Sequence, residues 1–191
     1  MTIETTPDKI TDMINELCRK ITADEKPEYI SVEIQEYSIA NHCFPNVARM
    51  VRDNQGEVVN GWAIWKWANI LIEAEAHAVW KSPEGRLIDI TPHNRGEDKI
   101  LFLPDNRVIY KNYKIASIRQ ALTTSLLIER LMFLLNERDQ IMCNTPVGRY
   151  IISEAILVEI NQIMDILDQE VKGNEFCPCQ SGLKYKKCCG Q

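Results

Sequence analysis

The sequence of 191 residues has no long apolar segment. No run approaches the roughly 18 apolar residues that a membrane-spanning helix needs, so a helical membrane span is not expected. The first twelve residues, MTIETTPDKITD, are acidic and amphipathic, and they lack the basic start and the apolar stretch of a secretory signal. Internal repeats and low-complexity segments are also absent. We therefore expect a soluble, cytoplasmic, globular protein.

The composition gives the same expectation. Apolar residues make up 45% and charged residues 26% of the chain, as in ordinary soluble proteins. The length is enough for one domain with a hydrophobic core plus an appendage. Cysteine is the exception, because four of the seven cysteines lie between positions 177 and 189. An odd number with this clustering favours a reducing compartment and metal binding over a disulfide framework.

The C-terminal segment cannot form a core of its own. From Asn174 onward it offers only Phe176, Leu183 and Tyr185 as large apolar side chains besides cysteine. That is too little to offset the entropy of ordering the chain. Four thiolates around one Zn²⁺ would hold it, since structural zinc is four-coordinate and supplies about 10–16 kcal/mol in small peptides. The candidate ligands, spaced C-x-C-x8-C-C, are Cys177, Cys179, Cys188 and Cys189. Two disulfides or four free thiols are the alternatives.

This C-terminal segment resembles the SEC-C motif, a zinc-binding motif known from the C-terminus of the preprotein-translocase ATPase. The resemblance covers residues 177–190, and Gln180 stands where the motif usually has glycine. It implies a bound Zn²⁺ and a small surface that docks on a protein or ribosomal partner. The residues that match are Cys177, Pro178, Cys179, Ser181, Gly182, Lys184, Tyr185, Lys186, Lys187, Cys188, Cys189 and Gly190.

Charge is distributed unevenly along the chain. From Lys172 onward, four lysines and one glutamate give a charge of +3. Because the net charge of the whole chain is −5, the residues before Lys172 carry −8. A basic appendage on an acidic body suits an acidic protein face or RNA as its partner. Three of the lysines are equally what a solvated loop carries, so both interpretations stay open.

Hydrophobic periodicity predicts an α+β fold, with a small antiparallel sheet, N-terminal helices and a C-terminal helical hairpin. We expect a mixed domain over 1–115, the helical hairpin over 116–173 and the zinc-bound segment over 174–191. The predicted helices cover 7–23, a segment starting at or just after Cys43, 117–142 and 145–173. The predicted strands cover 29–37, 57–67, 70–80, 86–91, 99–103 and 107–111.

One predicted turn determines a strand register. Pro83 and Gly85 suit a type I turn with a glycine bulge, which would pair Ser82 with Arg86. Counting back from that pair sets Asp89 opposite Val79. His77 and Asp89 then share one face of the sheet as diagonal neighbours, with Cβ atoms at most about 7–8 Å apart.

Three side chains then follow in the order nucleophile, base and orienting acid: Cys43, His77 and Asp89. A cysteine at a helix start has a thiolate favoured by the unpaired N–H groups. Residues 40–92 resemble the transglutaminase-like branch of the papain-type cysteine domains, through His77-Ala78-Val79-Trp80 and Asp89-Ile90-Thr91-Pro92. The resemblance implies a Cys43 nucleophile, a His77 base and an Asp89 that orients His77.

The same residues allow other interpretations. Trp80 comes one residue later than the tryptophan of that family, and only Gln35 and Trp62 offer themselves as side-chain oxyanion donors. A metal site could instead use carboxylates and imidazoles of the neighbouring strands. Its ligands would come from Glu73, Glu75, His77, Asp89 and His93. Cys43 could also be a buried small side chain in a domain without chemistry.

The sequence is consistent with two functions of different classes. The first is a cysteine-dependent hydrolase or acyltransferase acting on an amide or a thioester. The second is a non-catalytic adaptor that docks on a ribosomal or protein-translocation partner through the zinc motif.

Overall fold

The computed structural model describes residues 4–67, 69–93, 95–174 and 183–187, and it confirms a mixed α+β fold. The helices are α1 (Asp12–Ile21), α2 (Cys43–Asn54), α3 (Leu126–Cys143) and α4 (Glu154–Asn174). The strands are β1 (Glu28–Val32), β2 (Glu57–Trp67), β3 (Leu71–Lys81), β4 (Leu87–Asp89), β5 (Lys99–Pro104) and β6 (Ile118–Ala121). A short 3-10 turn, Tyr185–Lys187, follows α4. No helix in the described ranges is both long and apolar enough to span a membrane.

The strands form a six-stranded sheet in the order β2-β5-β1-β4-β3-β6. Because β2 also pairs with β3, the first five strands close into a barrel, and β6 extends it from β3. Strand β1 pairs antiparallel with β5 but parallel with β4. The sheet is therefore larger than the predicted small antiparallel one, closed, and mixed in strand direction.

The β2–β3 hairpin contains the two longest strands of the barrel wall. It pairs continuously from Glu57 opposite Lys81 to Trp67 opposite Leu71, over residues rich in Val, Ile and Trp. Helix α1 packs on one side of it through Ile14 and Leu17. Each such fully buried side chain contributes about 1.5–3 kcal/mol of apolar transfer free energy.

Two predicted elements are shorter than expected. The helix predicted over 7–23 begins at Asp12, because the Thr11 hydroxyl accepts a hydrogen bond from Ile14 N at 3.4 Å and caps it. The preceding residues are not helical, and Thr5 is bridged to Lys66. The strand predicted over 29–37 ends at Val32, and the chain then turns.

The predicted hairpin partner of β5, residues 107–111, is not a strand. Both edges of β5 are already occupied by β2 and β1, so no further strand can pair with it. Instead the Asp105 carboxylate accepts from Arg107 N at 3.1 Å and turns the chain. Trp62 Nε1 donates to the same carboxylate at 3.0 Å and holds the turn against the barrel.

The C-terminal helices pack on the turn end of the β2–β3 hairpin. Their buried side chains contact Trp67, Ile70 and Leu71. Residues 118–121, predicted as helix, instead form β6 beside β3. The segment 144–153 between α3 and α4 is irregular rather than the first turns of a helix, and it is held by a bridge between Tyr113 and Pro146.

Candidate active site

Cys43 is the first residue of α2, as the sequence predicted. The chain enters the helix through Asn41, whose φ of 65° is in the left-handed region that asparagine tolerates better than most residues. Cys43 is 8% exposed and lines a cavity. The helix start therefore presents a buried thiol to an accessible space.

Asn46, one turn further along α2, ties this helix start to the rest of the site. Its Oδ1 accepts from Ile39 N at 3.1 Å and its Nδ2 donates to Ile39 O at 2.9 Å, which closes the loop before Cys43. The same Nδ2 donates to Thr91 Oγ1 at 3.2 Å. Asn46 thus fixes Cys43 relative to the chain that follows β4.

The predicted β3–β4 turn is present and sets the register as expected. Ser82 N donates to Arg86 O at 2.9 Å, and Trp80 pairs with Ile88. This register brings the side chains of His77 and Asp89 together. Nε2 of His77 lies 3.1 Å from Oδ2 of Asp89, and both residues are buried.

His77 also contacts the cysteine. Cys43 is close enough to raise the pKa of the His77 imidazole, and both residues line the same cavity. Burial disfavours the charged imidazole, but the Asp89 carboxylate and the Cys43 sulfur outweigh burial and raise the pKa of His77 well above its ordinary value. The three predicted residues therefore form one contiguous set.

Asp89 has a second imidazole partner. Nε2 of His93 lies 2.5 Å from Oδ2 of Asp89, and Thr91 N donates to Oδ1 at 2.9 Å. Burial alone would raise the pKa of Asp89, yet the charges and hydrogen bonds of His77 and His93 hold that pKa well below its usual range. His93, expected from the sequence only as a possible metal ligand, is thus a second partner of the Asp89 carboxylate, and its position four residues after Asp89 is the only local signal of that contact.

The cavity beside these groups has a volume of about 570 Å³. Its walls include Cys43, His77 and His93, together with aromatic rings such as Trp65 and Tyr110. The segment between α3 and α4 contributes further apolar residues to the wall. A concave, mostly apolar space with a few convergent polar groups is typical of a small-molecule site.

Glu73 and Glu75, which the metal interpretation included, are occupied by ion pairs. Glu73 binds Arg119 at 2.7 Å, and Glu75 binds Lys114 at 3.1 Å. Arg119 also binds the buried Asp139 at 2.9 Å, which connects α3 to the sheet. Within the described residues, the candidate metal ligands therefore reduce to His77, Asp89 and His93.

The two suggested oxyanion donors do not line the cavity. Gln35 Nε2 donates to Glu33 O at 2.9 Å, and Trp62 Nε1 is engaged by Asp105. Trp80 donates to Gln55 O at 2.9 Å and is also outside the cavity lining. Trp65 is the tryptophan at the site, because its ring packs edge-on against His93 with centroids 5.1 Å apart.

The predicted zinc ligands Cys177, Cys179, Cys188 and Cys189 lie outside the described residues. Residues 174–191 match the family model of the SEC-C motif, which covers about a tenth of the chain. The match confirms the sequence resemblance over this segment. No curated protein and no solved structure matches the chain.

Proposed function

We propose that this protein is a cysteine-dependent hydrolase or acyltransferase acting on an amide or a thioester. The observation that supports it is the contiguous set of Cys43, His77 and Asp89 at the wall of one cavity. A nucleophile, a base in contact with it and a third group that orients the base are the parts that acyl transfer requires.

The chemistry follows from these contacts. His77 takes the thiol proton as the sulfur of Cys43 attacks the substrate carbonyl, and a thioester with the enzyme forms when the C–N or C–S bond breaks. His77 returns the proton to the leaving amine or thiol. Water or a second acceptor then releases the acyl group with the opposite proton transfers. Asp89 stabilises the imidazolium, and the first N–H groups of α2 are the available oxyanion donors.

Thiol reactivity tests this proposal without knowledge of the substrate. Full-length protein carrying one equivalent of Zn²⁺ is treated with iodoacetamide at pH 7, and each cysteine is followed by peptide mass spectrometry. Burial raises the pKa of Cys18 to about 11 and also raises the pKa of Cys143. Because only thiolates react, we expect Cys43 to be alkylated at least about tenfold faster than either.

A second histidine, His42, supplies a control for a substitution of His77. His77→Ala should slow alkylation of Cys43, whereas His42→Ala should not. His42 is exposed and its ring bonds Ala40 O at 2.9 Å. A rate for Cys43 as slow as that for Cys18 in the wild type would contradict the proposed nucleophile.

For the C-terminal segment we propose one Zn²⁺ bound by Cys177, Cys179, Cys188 and Cys189. The support is the SEC-C match and the donor set, since four thiolates are a structural zinc set. Elemental analysis of the purified chain should show one zinc fewer in Cys177→Ser than in the wild type. Cys143→Ser, which removes a cysteine outside the segment, should leave the zinc content unchanged.

The second candidate function is that of an adaptor in the cytoplasm that docks through this segment. Lys184, Lys186 and Lys187 are exposed, which favours an acidic protein or ribosomal surface as the partner. Co-sedimentation with ribosomes at low salt should be lost when all three become Glu. The matched control replaces three exposed lysines elsewhere, Lys9, Lys26 and Lys111, by Glu. Sedimentation that is absent in the wild type, or equal in both variants, would contradict ribosome docking.

A further inference from the structure

Three ligand atoms converge at the wall of the cavity. One donor atom from each of His77, Asp89 and His93 lies within 4.8 Å of the other two. Oδ2 of Asp89 is between the imidazoles, 3.1 Å from Nε2 of His77 and 2.5 Å from Nε2 of His93. The side chains are 7%, 0% and 12% exposed, so His77 and Asp89 are buried and His93 is partly buried.

The direction of the His77 ring matters as much as its distance. Nε2 is close to Asp89 Oδ2, yet its N–H does not point at that oxygen, and among the described residues Nε2 has no well-aligned hydrogen-bond partner. The lone pair or N–H of His77 Nε2, which lies in the plane of the ring, is therefore directed past Oδ2 of Asp89. A ligand of a metal ion is oriented in this way, because it points at the ion and not at its neighbour. Nε2 of His93, in contrast, is hydrogen-bonded to Oδ2 of Asp89, so an ion would have to take the place of that bond.

The spacing fits an ion as well. Imidazole nitrogen and carboxylate oxygen bind zinc at about 2.0–2.2 Å, so neighbouring ligands around one ion lie roughly 3 Å apart. The separation of 3.1 Å between Oδ2 of Asp89 and Nε2 of His77 is of this size, whereas the 2.5 Å to Nε2 of His93 would have to lengthen when an ion enters. Outer contacts also hold two of the ligands in place. Thr91 N fixes the Asp89 carboxylate at 2.9 Å, and the edge of Trp65 packs against His93.

We infer that His77, Asp89 and His93 bind one divalent transition-metal ion, at a site separate from the C-terminal cysteines. Two imidazoles and one carboxylate with open positions are a set that suits non-haem iron and catalytic zinc. His77 and His93 both line the cavity, so the open positions face it. This inference stands without the thiol chemistry.

Its consequence for Cys43, in contrast, rests on the proposed function. A metal ion on Nε2 leaves the proton of the neutral His77 ring on Nδ1, so that neither ring nitrogen keeps a free lone pair. An imidazole in that state cannot accept the proton of Cys43. Metal binding and thiol chemistry are therefore alternative states of one site, and the ion is a reversible inhibitor.

Cobalt titration tests the site directly. Full-length protein whose C-terminal segment already holds one equivalent of Zn²⁺ is titrated with Co²⁺ and followed by visible absorption. We expect one further equivalent to bind with ligand-field bands and without thiolate-to-cobalt charge transfer. His93→Ala should weaken this binding at least about 100-fold, whereas His42→Ala should leave it unchanged. Circular dichroism checks that both variants are folded.

Zinc and iron are distinguished by repeating the titration with Zn²⁺ and with Fe²⁺ under anaerobic conditions, each in competition with Co²⁺. Equal Co²⁺ affinity in wild type and His93→Ala, or a sulfur charge-transfer band in the added equivalent, would overturn the inference.

A further variant separates this inference from the proposed function. Cys43→Ser removes the nucleophile and should still bind Co²⁺, because the sulfur is not among the three ligands. In the wild type, Zn²⁺ beyond the first equivalent should slow alkylation of Cys43, and His93→Ala should abolish that inhibition. If Co²⁺ binds but Cys43 is alkylated slowly even without added metal, the proposed enzyme function is contradicted and the inferred metal site is supported. If Cys43 is alkylated fast and added metal does not slow it, the inferred metal site is contradicted and the proposed enzyme function is not.

Discussion

Asn46 donates through Nδ2 to the hydroxyl oxygen of Thr91 at 3.2 Å, and this contact joins the helix that carries Cys43 to the segment that follows Asp89. The two residues are 45 positions apart and both are buried. Cys43 and Asp89 approach His77 from different elements, so their mutual distance depends on such a tie. Asn46 is therefore a positioning residue for the site.

Asn46→Ala should lower the free energy of unfolding and slow the alkylation of Cys43. The variant leaves the N–H of Ile39 and the hydroxyl of Thr91 without this partner, whereas the C=O of Ile39 keeps its bond from His42 N at 3.2 Å. One buried unsatisfied group costs about 1–3 kcal/mol. Denaturant unfolding measures the first effect and peptide mass spectrometry the second. Asn54→Ala, at the exposed end of the same helix, should change stability by no more than about 0.5 kcal/mol. A wild-type alkylation rate in folded Asn46→Ala would exclude the positioning role.

Asp105 gives the protein a stability contribution that acid removes. Hydrogen bonds from Arg107 and then from Trp62 outweigh burial and lower the pKa of this carboxyl to about 2. A lowered folded pKa means that the contribution is complete above the ordinary value of 3.8 and is lost as the pH falls through about 2.

Asp105→Asn replaces one acceptor oxygen by an N–H₂ group that faces donors. We expect it to cost about 1–3 kcal/mol at pH 6, mainly through the buried bond to Trp62 Nε1. The difference in the free energy of unfolding between Asp105→Asn and the wild type should shrink as the pH approaches 2. Urea unfolding followed by tryptophan fluorescence measures it. Asp98→Asn, at an exposed carboxylate, is the control, and a cost for Asp105→Asn that does not vary with pH would refute the assignment.

Glu4 should have the opposite pH dependence. Burial, followed by the neighbouring carboxylate of Glu73, raises the pKa of Glu4 from 4.5 to about 9. The folded protein then holds a proton that the unfolded chain releases near 4.5, so this group lowers stability as the pH rises from about 4.5 to 9.

Glu4→Gln mimics the protonated carboxyl and removes that dependence. Its stability should equal that of the wild type near pH 4.5 and exceed it at pH 8 to 9. Thermal unfolding across this range measures the difference. Glu137→Gln, at an exposed position on α3, should show no comparable gain at alkaline pH. A Glu4→Gln variant that is no more stable than wild type at pH 9 would show that Glu4 ionises normally.

Local sequence signals were enough for parts of the site. The turn residues Pro83 and Gly85 predicted the β3–β4 register, and that register is what brings His77 to Asp89. The helix start at Cys43 was predicted from the proline and the apolar spacing that follow it. Such signals act within a few residues, which is the range over which turn and capping chemistry operates.

Long-range pairing could not be predicted in the same way. Nothing local in β1 indicates that it lies between β4 and β5, so the closed barrel and its parallel pair were missed. The pairing of β5 on both edges also explains why the strand predicted over 107–111 does not form. The occupation of Glu73 by Arg119 depends on residues 46 positions apart. The division into 1–115, 116–173 and 174–191 stays a prediction, as do the four zinc ligands.

Gly61 lets strand β2 lie directly against β5, because no side chain stands between them there. A Cβ atom there would overlap the carbonyl oxygen of Leu103 and would lie 2.7 Å from Cζ of Phe102 and 2.9 Å from Cα of Pro104. Two of these three atoms belong to backbone, so the strands themselves would have to separate. Gly61→Ala should therefore destabilise the protein by about 3 kcal/mol, at the upper end of the usual cost of overpacking.

Gly173→Ala is the matched substitution, because its Cβ would meet Cβ of Lys186 at an ordinary 3.6 Å. Alanine is also preferred over glycine in a helix by up to about 1 kcal/mol, so this variant should be neutral or more stable. Urea unfolding of both variants beside the wild type measures the contrast. If Gly61→Ala unfolds at the wild-type urea midpoint, β2 and β5 are not as close as the barrel requires, and the register that holds Trp62 opposite Leu103 would have to be revised.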